Sequence, residues 1–307
     1  MEQAAVMPTN VISVDLEDWF HILDLDSGYG PEEWSHLPSR VERNSERLLD
    51  LFDRHSVRAT WFTLGWVADR FPGLLKRIVE RGHEVASHGF HHQLVYEQTP
   101  VQFQNDITAS IAAIESACGI RPTAYRAPGF SVTQQALWAF ETLGALGITV
   151  DSSVFPAPRG HGGLPSAPSF PFRIVLPDGS EILEFPITTT TLFGRRLAYC
   201  GGGYLRLFPT NWVARRIGAA NRCGQPVIVY IHPRDIDPKQ PRMSMSPTRR
   251  FKSYVGLSTC ISKLDTLLRQ FPFGTLADAL SELERSELPI YRLMRDTDNW
   301  KLFRRNP

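Results

Sequence analysis

Short β-branched and aromatic runs alternate with longer stretches of helical spacing along this 307-residue chain. Residues 11–14, 59–64, 84–87, 148–150, 182–186 and 227–232 predict strands, being apolar over a few positions and bounded by turn-forming residues. Between them, segment 40–55 sets Val41, Leu48, Leu51 and Phe52 on one helical face. Segment 73–81 does the same with Leu74, Leu75, Ile78 and Val79 before stopping at Gly82. Segments 100–118 and 134–146 predict two further helices. Strand and helix in alternation imply a largely parallel sheet and an α/β fold class.

The stretch 155–171 breaks the pattern with five prolines and three glycines and reads as a long surface loop. Loops of that length in compact domains are often functional. Beyond the last predicted strand, 233–247 is rich in proline and charge, and 258–271 and 275–288 have the spacing of two amphipathic helices. This tail reads as an appendage rather than a second catalytic domain. No internal repeat or low-complexity tract is evident.

Composition narrows the function classes. A net charge of +1, from 33 basic against 32 acidic residues, gives no reason to expect nucleic acid or an anionic membrane as partner. Cys118, Cys200, Cys223 and Cys260 lie far apart, without the CxxC pairs of a zinc ribbon or dithiol site, and are expected to be reduced. The first residues lack a basic and apolar leader pattern, and no apolar run approaches the roughly 18 residues of a membrane span, so a cytoplasmic location is the expectation.

Two clusters carry candidate chemistry. Val14-Asp15-Leu16-Glu17-Asp18-Trp19 crowds three carboxylates at the end of an apolar strand, which calls for a divalent metal or a shared proton; a solvated turn or a helix cap fits the same letters. In the second, His83, His88, His91 and His92 fall within ten residues. The four-residue spacing of His88 and His92 would put both imidazoles on one side of a helical turn, within reach of one zinc-like ion. Two histidines and a carboxylate make a recurrent hydrolytic metal site, and residues at strand ends of a parallel barrel converge on one face. Arg126, in Tyr125-Arg126-Ala127-Pro128-Gly129, could hold Asp15 by a two-point contact. His232 ends the apolar run from Val227 to Ile231 and suits a general acid.

Taken in order, these motifs resemble the polysaccharide deacetylase family with the NodB-type homology domain, the carbohydrate esterases that include chitin and peptidoglycan deacetylases. The resemblance covers residues 10–235 and implies a distorted (β/α) barrel, with 236–307 as a helical extension packed on it. It implies Asp15 as catalytic base, Glu17, His88 and His92 as metal ligands, Arg126 with Pro128 as the third motif, Asp151 in Asp151-Ser152-Ser153 as the fourth, and His232 as the acid. The chain is more similar still to a subgroup encoded with bacterial exopolysaccharide and exosortase (PEP-CTERM) loci, through its Val-Asp-x-Glu-Asp-aromatic start, the stretch 230–237, and 249–273.

Three positions depart from the family pattern. Asp15 is followed by Leu16 rather than a second aspartate, so the metal carboxylate falls to Glu17, by alternation along an extended segment, or to Asp18. Gly89 replaces the usual Ser or Thr, so support for the first histidine falls to a neighbour such as Ser87. Val154 and Phe155 stand where a tryptophan is usual. The function implied is removal of acetyl groups from an N-acetylated polysaccharide or oligosaccharide, with a divalent metal, zinc by its ligands, as cofactor. His232 would be oriented by Asp151 or Asp235, and Trp19, Phe20, Trp34 and Phe130 would line a sugar groove. A small-amide hydrolase of the allantoinase type and a catalytically silent polysaccharide-binding protein are the alternatives.

Overall fold

The structure, a computed structural model, describes residues 7–23, 29–160, 162–283, 287–296 and 299–304. The chain divides into two compact units, one made of residues 1–61, 77–84 and 199–282, the other of 62–76, 85–198 and 283–307.

The first unit is organised around the strand Asn10–Leu16, buried at every position. It pairs in parallel with Ile228–Ile231, likewise wholly buried, and its start pairs with Phe273–Gly274. A parallel strand covered on both faces reads as an unbroken apolar run, which is why both segments were visible in the sequence. The polar residues they carry are bonded. Asn10 and Asn221 exchange side-chain hydrogen bonds at 3.0 and 2.8 Å, and Asn10 Oδ1 also accepts from the Val227 amide at 3.0 Å. Helix Val41–Arg54 buries Val41, Leu48, Leu51 and Phe52, the face its spacing predicts. Helices Gly202–Leu207, Thr210–Arg222, Pro247–Tyr254, Cys260–Gln270 and Leu276–Ser281 belong to the same unit.

In the second unit the strand Glu84–Ser87 from Val85 onward, Ala124–Tyr125, Val150–Asp151 and Glu181–Glu184 lie side by side in parallel. Phe172–Val175 adds antiparallel to Glu181–Glu184, then Ile290–Asp296 parallel to it, then Asn299–Arg304 antiparallel. The main helix, Pro100–Cys118, starts at a Thr99/Gln102 capping box and ends at Gly119, whose φ of 75° favours a residue without Cβ. Its buried face joins Phe103, Ile107 and Ile111 to a core with Tyr125, Phe140 and Phe172. The described residues of 156–171 form no helix or strand, as expected of the proline-rich loop.

Some elements differ from expectation. The helix expected over 134–146 is a 3₁₀ turn, Gln134–Ala136, followed by a shorter helix, Ala139–Ala145. The appendage is not wholly helical: after Leu276–Ser281 the chain ends in the strands Ile290–Asp296 and Asn299–Arg304. Among the described residues of these strands Leu293 alone is deeply buried, so they lack the alternation that would reveal them.

His83 sits in the first unit against Phe52 and Trp61, with ring centroids 5.8 and 5.9 Å away. Its Nδ1 accepts the Ala59 amide at 2.9 Å and therefore carries no proton. Burial drives its pKa down from 6.5 to about 4, with nearby Asp53 opposing. Between those values the unfolded chain binds a proton that the folded chain does not, so stability should be lost as pH falls from 6.5 toward 4. We expect urea unfolding of the wild type to lose about 1–3 kcal/mol through this group across that window, and the His83→Gln variant to show a correspondingly flatter acid limb. Equal slopes in both proteins would show that His83 does not govern it.

Candidate active site

The first unit brings Asp15, Glu17 and His232 together. Both carboxylates follow from the buried strand Asn10–Leu16, and His232 follows from its neighbour Ile228–Ile231, so parallel register alone sets the groups side by side. His232 Nε2 lies 3.3 Å from Glu17 Oε1 and 3.7 Å from Asp15 Oδ2. Arg234 Nε lies 3.4 Å from the same Glu17 oxygen.

The other ring nitrogen is fixed from behind. Of the two carboxylates named for orienting His232, Asp235 makes the contact, its Oδ2 standing 2.8 Å from Nδ1 and accepting the His232 amide at 2.9 Å. The Asp235 amide in turn donates to the His232 backbone carbonyl at 2.9 Å, at the start of the 3₁₀ turn Pro233–Ile236. Burial works against protonation of His232, but the charges of Asp235 and Glu17 outweigh it and raise its pKa. Burial likewise pushes the Asp235 carboxyl up, and Arg206 and His232 more than reverse this, holding it well below the usual carboxylate range.

Asp18 has a different task. Its carboxylate accepts from the amides of Trp19 at 2.8 Å, Arg40 at 2.8 Å and Val41 at 3.1 Å and from the Ser39 hydroxyl at 2.5 Å. Arg40 and Val41 open the helix Val41–Arg54, so Asp18 caps it from a distance in sequence. Burial still raises its pKa against these donors.

In the second unit His88 and His92 follow the strand Glu84–Ser87, their ring centroids 5.2 Å apart. The expected helical turn is absent. Residues 88–94 form an irregular loop in which Gly89 has φ 76° and His92 φ 55°. Asp106, from the helix Pro100–Cys118, dictates this shape by accepting the amides of Phe90 at 2.8 Å and His91 at 3.1 Å. A Cβ on residue 89 would come within 2.8 Å of Asp106 Oδ2, so Gly89 accommodates that carboxylate. Ser87 contributes a weaker bond from the Gly89 amide at 3.3 Å. Asp106 was not anticipated, although an aspartate on a helix face with Phe103, Ile107, Ser110 and Ile111 was the available signal.

His88 Nδ1 lies 2.7 Å from the Arg126 carbonyl, which can only accept, so the proton is on Nδ1 and the lone pair on Nε2. The Arg126 guanidinium is fully buried, 3.9 Å above the Phe62 ring, and donates from Nε to the Ser152 carbonyl at 3.2 Å and from Nη2 to the Ser152 hydroxyl at 3.1 Å. Asp151 holds the next residue, accepting from the Ser153 amide at 2.8 Å and hydroxyl at 2.7 Å, while the Ser153 hydroxyl accepts the Ala127 amide at 2.8 Å. Opposite Asp151 in register stands Glu184, also without exposure. Burial, and then the Asp151 charge beside it, push the Glu184 carboxyl well up. Glu184 too went unpredicted; a glutamate inside the apolar run 182–186 was its signal.

The proposed aromatic groove is corrected. Trp19, Phe20, Trp34 and Phe130 are at most 5% exposed and pack edge-on or tilted against aromatic neighbours, so they are core and cannot stack on a sugar. Glu17, His88 and His92 are each buried, and each offers a ligand atom suited to a divalent cation. Among the described residues no helix is long and apolar enough to cross a membrane.

Comparison with known proteins bears on both halves of the sequence. Residues 22–148 match the polysaccharide deacetylase family model, and residues 152–281 match a domain of unknown function, DUF3473. Over 88 residues, 29% of this chain, the sequence is 38% identical to the peptidoglycan-N-acetylglucosamine deacetylase PgdA of Listeria monocytogenes. The matched part is 19% of that relative's length. A candidate polysaccharide deacetylase from Mycobacterium smegmatis superposes with a TM-score of 0.64 at 17% identity, over 95% of this chain and 96% of that one. The Puue allantoinase superposes with a TM-score of 0.58 at 14% identity, over 89% and 88%. These structural likenesses show the fold, the mixed α/β class of the NodB type expected from the sequence. Family model and relative together support a polysaccharide deacetylase domain.

Because four donors converge on Asp18, the Asp18→Ala variant should lose about 1–3 kcal/mol of unfolding free energy, read from the urea midpoint at constant m. A loss below about 0.5 kcal/mol would mean that water replaces the carboxylate at the helix start.

Proposed function

We propose that this chain is a metal-dependent hydrolase that removes acetyl groups from the N-acetylated sugars of a bacterial exopolysaccharide. The observation that carries the reading is the cluster at the end of strand Asn10–Leu16, where a base candidate, Asp15, and an acid candidate, His232, lie 3.7 Å apart with the acid's far nitrogen held by Asp235. The deacetylase domain match supports the reaction class. The resemblance to the exosortase-associated subgroup supports the polymer.

Glu17, His88 and His92 fit the metal. They are two imidazoles and one carboxylate, the tautomer of His88 places its lone pair on Nε2, and the engagement of Asp18 at a helix start favours Glu17 as the carboxylate ligand. A divalent ion held there, zinc by the nature of its ligands, supplies Lewis-acid polarisation of an acetamide carbonyl and lowers the pKa of water when bound. Asp15 takes the proton of the attacking water. His232 gives its proton to the departing sugar amine, so that acetate and a free amino sugar result. Arg126, braced by Ser152, and Asp151, through Ser153, secure the loop that carries the third motif.

Asp15→Asn should keep its metal, measured by elemental analysis, and lose about 10²- to 10⁴-fold in acetate release from N-acetylglucosamine oligomers. Full activity in that variant would sink the assignment. Wild-type protein should lose turnover on chelation and regain it with zinc. Hydrolysis of allantoin without acetate release from any N-acetylated polymer would point instead to a small-amide hydrolase. Chelator-insensitive polymer binding without turnover would point to a silent binding protein.

A further inference from the structure

We propose that Arg206 is a positioning residue for His232, so that the segment with no assigned function, residues 152–281, supplies the acid together with both of its supports. This rests on reading His232 as the general acid.

Arg206 lies in the helix Gly202–Leu207 and is 4% exposed. Its Nε stands 3.0 Å from Asp235 Oδ1, while the other oxygen of Asp235, itself without exposure, holds His232 Nδ1 at 2.8 Å. The far side of the guanidinium donates from Nη1 to the Val255 carbonyl at 2.6 Å and from Nη2 to the Lys252 carbonyl at 3.1 Å, at the C-terminal end of helix Pro247–Tyr254. Its backbone is fixed as well. Lys263 Nζ donates to the carbonyls of Leu205, Arg206 and Phe208 at 3.2, 2.8 and 2.7 Å, closing the end of the Arg206 helix. Gly256, with φ 67°, passes so close that a Cβ there would fall 2.3 Å from the Arg206 carbonyl oxygen.

A helix end alone needs only neutral donors, and burying a cation is costly unless an anion accompanies it. The planar guanidinium faces one anion as an ion pair while its two terminal nitrogens donate to two carbonyls, which an ammonium cannot match in geometry. Asp235 needs the same partner, because a buried carboxylate without a cation takes up a proton and then no longer fixes an imidazolium. The line from the 252–255 carbonyls through Arg206 and Asp235 to His232 therefore sets the direction of the acid.

The test compares amide and activated-ester turnover, using N-acetylglucosamine oligomers and 4-nitrophenyl acetate, whose phenolate departs without a proton. Arg206→Met should lower kcat on the oligomer by at least about tenfold, leave KM within about twofold, and lower the amide-to-ester rate ratio as His232→Ala does. A shifted ratio in His232→Ala but not in Arg206→Met overturns the positioning role alone. An unshifted ratio in His232→Ala overturns the acid assignment beneath it. If Arg206→Met fails to fold, Asp235→Asn, which keeps the bonds from Arg206 to Lys252 and Val255, is read the same way, and an unchanged ratio there overturns the proposal. If the wild type does not cleave the ester, the split between kcat and KM on the oligomer decides.

Discussion

Charge removed from water must be compensated where it is buried, and the end of the strand Asn10–Leu16 imposes that demand on its surroundings. It delivers Asp15 and then Glu17 and Asp18 to positions at most 3% exposed. Each finds a different answer. Asp18 takes the N-terminus of the helix Val41–Arg54, Glu17 stands beside His232 and Arg234, and Asp15 lies beside the same imidazole. The charge placed on His232 then has to be matched, which brings in Asp235, and the charge on Asp235 brings in Arg206. A few apolar residues ending in carboxylates thus commit a helix start, a 3₁₀ turn and a distant arginine to their neutralisation.

The same rule governs the second unit with different means. Arg126 is a fully buried cation bound to Ser152 and lying on the Phe62 ring, and it shares its unit with Asp151 and Glu184, whose carboxyls burial raises. Asp106 is spent on two backbone amides. Polar residues in these interiors work mainly on the backbone. They hold loops in shapes that apolar packing could not specify, as the positive φ of His92 shows.

This division explains what was legible in the sequence. Apolar periodicity revealed Asn10–Leu16, Ile228–Ile231 and the helix Val41–Arg54 because burial is what writes periodicity. It could not reveal Ala124–Tyr125, a strand of two residues, or the nearly exposed pair Ile290–Asp296 and Asn299–Arg304. Composition pointed to a site because four histidines and three carboxylates are improbable neighbours without chemistry. Spacing misled on its form: four residues can be one helical turn, but a carboxylate sixteen positions away decided that His88 and His92 sit in a loop. Aromatic residues near a motif suggested a groove, and the cost of leaving Trp19 and Trp34 in water put them in the core instead. Nor do sequence matches follow the chemistry. The deacetylase match spans 22–148 and contains His88, His92 and Arg126, while Asp15 and Glu17 precede it and His232, Asp235 and Arg206 fall within the match to a domain of unknown function.

The separation of Glu17 from Asp18 shows where alternation stops being an argument. Along an ideal strand residues 15 and 17 share a side and 18 faces the other, which is the sequence reason for preferring Glu17. The strand ends at Leu16, however, and the Glu17 amide bonds back to the Asp15 carbonyl at 2.9 Å, a tight turn in which alternation no longer holds. What brings both Asp15 and Glu17 to one imidazole is the neighbouring parallel strand, which places His232 just past the same end. What takes Asp18 away is a helix beginning more than twenty residues later, with two amides and a hydroxyl at its start to satisfy. Two adjacent carboxylates therefore part company through contacts distant in sequence, and a local pattern can propose that outcome but has no means of enforcing it.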